Sequence, residues 1–269
     1  MQKYLGILRY LAALVVVAGL LAAGGVTVQA KDIKYAHSMK SGDSLTLTDD
    51  TIINMVADLS VTQINGSSYE LTILGNKTLT ITPTNGYGMY VNRLNTSNAR
   101  IKIVSENTSV QGGIRTFGTD ADVDFKDSRV EIILKYGFGI LTAINGEFNL
   151  TNSTVTVKTE HDFAIRSNGK ITFDGGSVTA ESGSDTALRC GSISKITGTT
   201  VYADGFKGGI SSVGDSSITG CDITALGRTE CGIQVGMTSY DNSLVISSSN
   251  VTASSDGNAG IYAEKKLYH

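Results

Sequence analysis

Three apolar positions return in the same order about every 23 residues along this chain, and repetition at that interval leaves few folds open. The clearest copy runs from Gly169 to Gly191, with Val178 and Leu188 as a first and a second anchor ten residues apart. Leu79/Met89, Val130/Ile140, Val155/Ile165, Ile223/Ile233 and Val251/Ile261 keep that distance, while Val201/Ile210 lie nine apart and Ile101/Ile114 thirteen. Successive second anchors are separated by 25, 26, 25, 23, 22, 23 and 28 residues. A third apolar column, five residues before the first anchor, holds Leu74, Phe125, Leu150, Phe173, Ile196, Ile218 and Ile246; Thr96 interrupts it, with Leu94 nearby.

The residue two after each first anchor is also apolar, from Ile81 and Ile103 to Ala225 and Ala253. A period of two is the mark of strands, whose side chains alternate between faces. Short polar or glycine bends (Asp174-Gly175-Gly176, Asn152-Ser153, Thr197-Gly198, Thr219-Gly220) divide the runs, and Asn145-Gly146 and Asn168-Gly169 add turn signals. Asn-Gly can also close an antiparallel hairpin, but a meander has no need to repeat three columns in fixed order. The pattern predicts an all-β fold: a single parallel β-helix of about eight coils with three short strands each, stacked about 4.8 Å apart.

Residues 1–30 carry a basic start (Lys3, Arg9), an apolar run from Leu11 to Ala23 and the small-residue end Val28-Gln29-Ala30, the pattern of a cleaved secretory signal peptide. The alternative is an uncleaved anchor, because Leu11 to Val28 is uncharged and just long enough to span. Loss of the leader takes 22 basic residues to 20 against 25 acidic, a net charge of −5 that argues against a general nucleic-acid partner. Residues 31–69 are expected to form an N-terminal cap with the first irregular coil, 70–263 the β-helix and 264–269 a short C-terminal tail. So small a tail leaves the last coil's edge open to edge-to-edge pairing with another chain, which Lys265 and Lys266 discourage. Period two places Cys190, Cys221 and Cys231 inside, where free cysteine commonly packs as a small hydrophobe.

Function must then lie on outward positions, where equivalent residues of successive coils form ladders. Directly after the second anchor come Tyr90, Arg115, Leu141, Arg166, Arg189, Ser211, Gln234 and Tyr262. Arginine suits carboxylates through paired N–H donors, so Arg115, Arg166 and Arg189 are the expected track for an acidic glycan. Tyr90, Tyr202 and Phe206 are the candidate stacking aromatics. Three residues before the second anchor, Asp162 and Asp185 fall on adjacent coils near Glu160 and Asp204 and are the candidate Ca²⁺ ligands, although no calcium-loop motif surrounds them. Threonines after the first anchor (Thr156, Thr179, Thr224, Thr252) suit a strand wall, and Lys102, Glu131 and Tyr202 break any regular array.

The coil sequences I-T-F-D-G-G-S-V-T-A and I-T-G-C-D-I-T-A, each followed by an Ala- or Gly-led strand (Ala164-Ile165, Ala187-Leu188, Gly232-Ile233), resemble the pectate-lyase-like right-handed β-helix superfamily across residues 70–263. They are most similar to secreted clostridial-type β-helix proteins that bind carbohydrate, some of which take polygalacturonate with calcium and lack hydrolytic activity. The resemblance implies right-handed coils, secretion or cell-surface attachment, and a non-catalytic binding or adhesive role toward acidic, pectin-like polysaccharide. Polyuronate lyases and hydrolases share the fold, and so do structural stalks of larger surface proteins. Of the polygalacturonase motifs only Asp49-Asp50 and Arg100-Ile101-Lys102 have counterparts, in the wrong order and with no G-H-G, so paired acid and base carboxylates are not assembled. His161 in Thr159-Glu160-His161-Asp162 reads as a solvated turn residue.

Overall fold

Period-two alternation, a bend and a second alternating run are enough to build one coil, and the next coil supplies the hydrogen bonds the first leaves open. The computed structural model describes residues 32–36, 39–236, 242–264 and 266–268. Its Asp32–His269 unit is all-β, a parallel β-solenoid of about nine turns. The expected leader, residues 1–30, lies outside the described residues.

The first anchors pair in one unbroken ladder from Leu79 through Ile101, Val130, Val155, Val178, Val201 and Ile223 to Val251. The second anchors do the same from Met89 through Leu188 to Ile261. In the third column Phe125, Leu150, Phe173, Ile196, Ile218 and Ile246 stack in register. All but the last coil's members are buried, and together they line the core.

One position in that column is corrected. Thr96 pairs with Ile73 below and Phe125 above, and Leu74 sits one place further on, beside Ser97. The cause is the bend. Two residues after the column, each coil places a residue in the left-handed region: Asn98, Asp127, Asn152, Gly175, Gly198, Gly220 and Ser248, at φ between 47° and 74°, followed three residues later by the first anchor. Gly75 (φ 101°) occupies this place in the earlier coil, but Leu79 follows four residues later and not three, so counting back five from the anchor stops one residue short of the column. Thr96 is buried at its rung because its hydroxyl donates to Ser128 Oγ at 2.9 Å.

The coil pattern also reaches further toward the N-terminus than the anchor spacing indicates. Leu45 pairs with Ile64 and Ile64 with Met89; Leu59 pairs with Leu79 and Ile53 with Ile73. At the other end the backbone of Lys266–Tyr268 adds a parallel strand over Ser243–Val245.

Hydroxyls, all buried but that of Ser249, hold the corners. Next to the left-handed residue, Ser128, Ser153, Thr199 and Ser249 each donate to the carbonyl two residues back, at 2.6 to 3.0 Å. Ser128, Ser153 and Ser249 also accept the N–H of the equivalent residue one coil below, from Ala99, Ser128 and Cys221. Cys221 stands in this ladder, its thiol 3.2 Å from Thr219 O. Cys190 stands in another, between Ser167 and Ser212, where burial pushes its thiol up to about 12. Both cysteines, with Cys231, are free and buried. Because a hydroxyl already serves the neighbouring rungs, Cys221→Ser is expected to shift the unfolding free energy by no more than about 1 kcal/mol in a denaturant titration. A loss of several kcal/mol would mean that the thiol fills space a hydroxyl cannot.

Two facing columns set the tube's bore. The residue before each second anchor is small: Gly88, Gly113, Gly139, Ala164, Ala187, Gly209, Gly232 and Gly260. A Cβ on Gly88 or Gly113 would come within 3.0 or 2.8 Å of Ile103 or Ile132 Cγ2, so these glycines make room for the branched side chains opposite. The opposite column runs Ile81, Ile103, Ile132, Val157 and then Ala180, Ala203, Ala225, Ala253.

Candidate ligand-binding track

A strand that buries its second anchor must turn the next residue outward, and in-register pairing then aligns those residues along the tube. Tyr90, Arg115, Leu141, Arg166, Arg189, Ser211, Gln234 and Tyr262 form one continuous ladder, in which Ser211 is buried and the others are partly or fully exposed. Arg166 and Arg189 stand on consecutive rungs, about 4.8 Å apart, with Arg115 two rungs below Arg166. Among the described residues none of the three is in an ion pair, whereas Arg93, Lys102, Lys158, Lys207 and Arg228 each hold a carboxylate.

Aromatic rings hold two of these arginines. The Arg115 guanidinium lies 5.3 Å from the Tyr87 ring centre and 5.8 Å from that of Tyr90, and its Nη1 donates to Tyr87 Oη at 2.5 Å. Arg166 lies 5.7 Å from the Phe163 ring and donates from Nε to Asn168 Oδ1 at 3.1 Å. Such contacts preorganise a cation while leaving most of its N–H donors unspent. The rings themselves form a chain. Phe163 stacks on Phe138 at 5.4 Å and 7°, Phe138 meets Tyr87 at 5.7 Å, Tyr87 meets Tyr90 at 5.2 Å, and Tyr90 meets the half-exposed Phe117 edge-on at 5.6 Å. Tyr87 and Phe138 are two rungs apart with Gly112 between them, and a Cβ on Gly112 would lie 2.4 Å from the Phe138 ring. A glycine on that rung is what lets the rings close up.

Sequence reasoning missed Tyr87, Phe138 and Phe163 because strict alternation assigns the residue two before the second anchor to the inside. In these coils the residue three before it has positive φ, at Gly86 (56°), Gly137 (78°) and Asp162 (108°), and the alternation restarts after the turn. Tyr87 and Phe163 are thereby left partly exposed, while Phe138 is buried among its neighbouring rings; where no such residue intervenes, as before Cys231, the side chain packs inward as expected.

Of the three expected stacking aromatics only Tyr90 belongs to the track. Tyr202 lies on the first-anchor strand, between Thr179 and Thr224, with its hydroxyl 3.4 Å from Asp204 Oδ2; burial and the Asp204 and Glu181 carboxylates raise its phenol above the ordinary value. Phe206 follows that strand and lines a separate groove. The two aspartates proposed for calcium serve their own bends: Asp162 Oδ1 accepts from Phe163 N at 2.8 Å and Asp185 Oδ1 from Thr186 N at 2.7 Å. Asp185 Oδ2 also holds Lys207 at 3.0 Å, and burial, then the nearby Asp185, raise the Asp162 carboxyl. Among the described residues no group of three or more His, Cys, Asp or Glu is placed to hold a metal ion. His161 is exposed and stacks on Tyr136 at 5.0 Å. The polygalacturonase-like fragments stay apart from the track: Asp50 caps Glu70 N, and Lys102 pairs with Glu131. Comparison with protein-family models, curated proteins and solved structures found no match.

Proposed function

We propose that this solenoid is a secreted or surface-held, non-catalytic binding module for an acidic, pectin-like polysaccharide laid along the tube axis. The observation that carries the reading is the single ladder of Arg115, Arg166 and Arg189, without an ion pair among the described residues and bordered by stacked rings. A linear array of cations spaced by strand rungs suits a linear chain of carboxylates, and the rings offer faces to sugar C–H groups. The resemblance of the coils to pectate-lyase-like β-helices points the same way. Calcium bridging by Asp162 and Asp185 is the less favoured form of the proposal, because Lys207 already neutralises Asp185.

Affinity electrophoresis in gels containing polygalacturonate tests it. Wild-type protein is expected to be retarded, less so as salt rises, and equally with or without chelator. Arg166→Ala with Arg189→Ala removes two charged donors at about 1.5 kcal/mol or more each, a loss of roughly a hundredfold in affinity. Unchanged retardation of the double variant would refute the track. Release of unsaturated uronides or reducing ends from the polymer would replace a binding module with an enzyme.

A further inference from the structure

A second groove runs along a different wall of the tube, where the first-anchor strands end. It encloses about 820 Å³ and crosses the coils from Val104 to Arg228. Its wall is the ladder Val104, Ile133, Lys158, Glu181, Asp204. Two ion pairs lie along it, Lys158 with Glu181 at 2.8 Å near the middle and Arg228 with Asp204 at 2.8 Å at the upper end. Phe206, 46% exposed, stands at one side, and Ile133 is exposed nearer the lower end. Between the coils of Glu160 and Phe206 the lining residue is Gly183, whose Cβ would press to 2.7 Å from Glu160 O, so the groove has a bare floor beside the aromatic ring.

Three cations (Lys135, Lys158 and Arg228) and four carboxylates (Glu106, Glu160, Glu181 and Asp204) line the groove, and with the two ion pairs among them neither sign dominates. Each pair keeps N–H donors and lone pairs that its partner does not use. A polyanion would meet Glu160, Glu181 and Asp204. A peptide strand would need main-chain partners, but the bend amides are spent: Gly183 N on Thr159 O, Phe206 N on Ser182 O and Arg228 N on Lys207 O. What remains is a set of side-chain donors and acceptors in a row, with an exposed ring and a glycine on neighbouring coils of the same groove, which matches a chain of hydroxyl groups with one sugar face against the ring. We infer that this groove is a second binding site, for an uncharged polysaccharide, with Phe206 as its stacking platform. The inference does not depend on the arginine track.

The test is affinity electrophoresis of the whole protein in gels containing xyloglucan, galactomannan or arabinan, at low and high salt. Retardation by at least one polymer is expected, unchanged by salt because no net charge is matched. Phe206→Ala, an exposed change that leaves the core intact, should weaken it about tenfold or more, and Phe206→Trp should keep it. Arg166→Ala with Arg189→Ala should bind the neutral polymer as wild type does, which separates this site from the track. The proposal is overturned if none of the three polymers retards the protein, if Phe206→Ala binds like wild type, or if the binding is lost at high salt.

Discussion

Phe148→Ala is expected to lower the free energy of unfolding by about 3–5 kcal/mol, the largest effect of any single truncation considered. Phe148 is fully buried and stands between two other rings, meeting Phe125 edge-on at 5.6 Å and Phe173 at 5.3 Å. Removing it opens a cavity in the middle of the bore and also breaks both edge-to-face contacts, each worth about 0.5–1.5 kcal/mol beyond burial. The surrounding columns cannot collapse into the space, because hydrogen-bonded ladders on each wall fix their separation. A denaturant titration reads the effect as a lowered midpoint. A cost below about 1 kcal/mol would show that the three rings do not interlock.

Gly139→Ala, which adds one methyl group, should cost about 3 kcal/mol, at the upper end for overpacking. The new Cβ would lie 2.0 Å from Val157 Cγ1 and 2.4 Å from the Ala164 carbonyl oxygen. The first clash can be relieved by shortening Val157, but the second is with backbone held in the coil above. Adding Val157→Ala should therefore recover part of the loss and not all of it. Full recovery would place the whole conflict in the side chains, and a neutral single substitution would contradict the close approach of these two coils.

The architecture was legible because its signal is redundant. Each coil repeats the same inward positions, and a wrong guess in one coil is corrected by its neighbours, as Phe125 and Leu150 outvote Thr96. The signal fades where a bend changes length. Leu59 and Ile64 are first and second anchors only five residues apart, so a search for pairs ten apart passes over a coil whose side chains are as buried as any other. One extra residue after Gly75 displaced Leu74 in the same way. The arginine ladder was also legible, since outward alternation fixes it once the second anchors are known. Its aromatic setting was not, because a positive φ before Tyr87, Phe138 and Phe163 resets the alternation, and period two carries no trace of a turn. Tyr202 and Phe206, expected as stacking partners for the same ligand, stand outside the tube on a wall other than that of the arginine ladder, a distinction that depends on which strand of the coil a residue occupies.

The switch from Ile and Val to Ala between residues 157 and 180 divides the solenoid into a stout half and a lean half. Nearest-neighbour contacts are all that join one turn to the next, so such a column makes a gradient of local strength rather than a uniform rod. Opening should begin among the alanine-lined turns and halt near Val157, leaving the lower stack as the template on which the remainder zips back. Arg115 and the ring chain ride on that lower stack, so a partly frayed molecule would still present the aromatic end of its binding face.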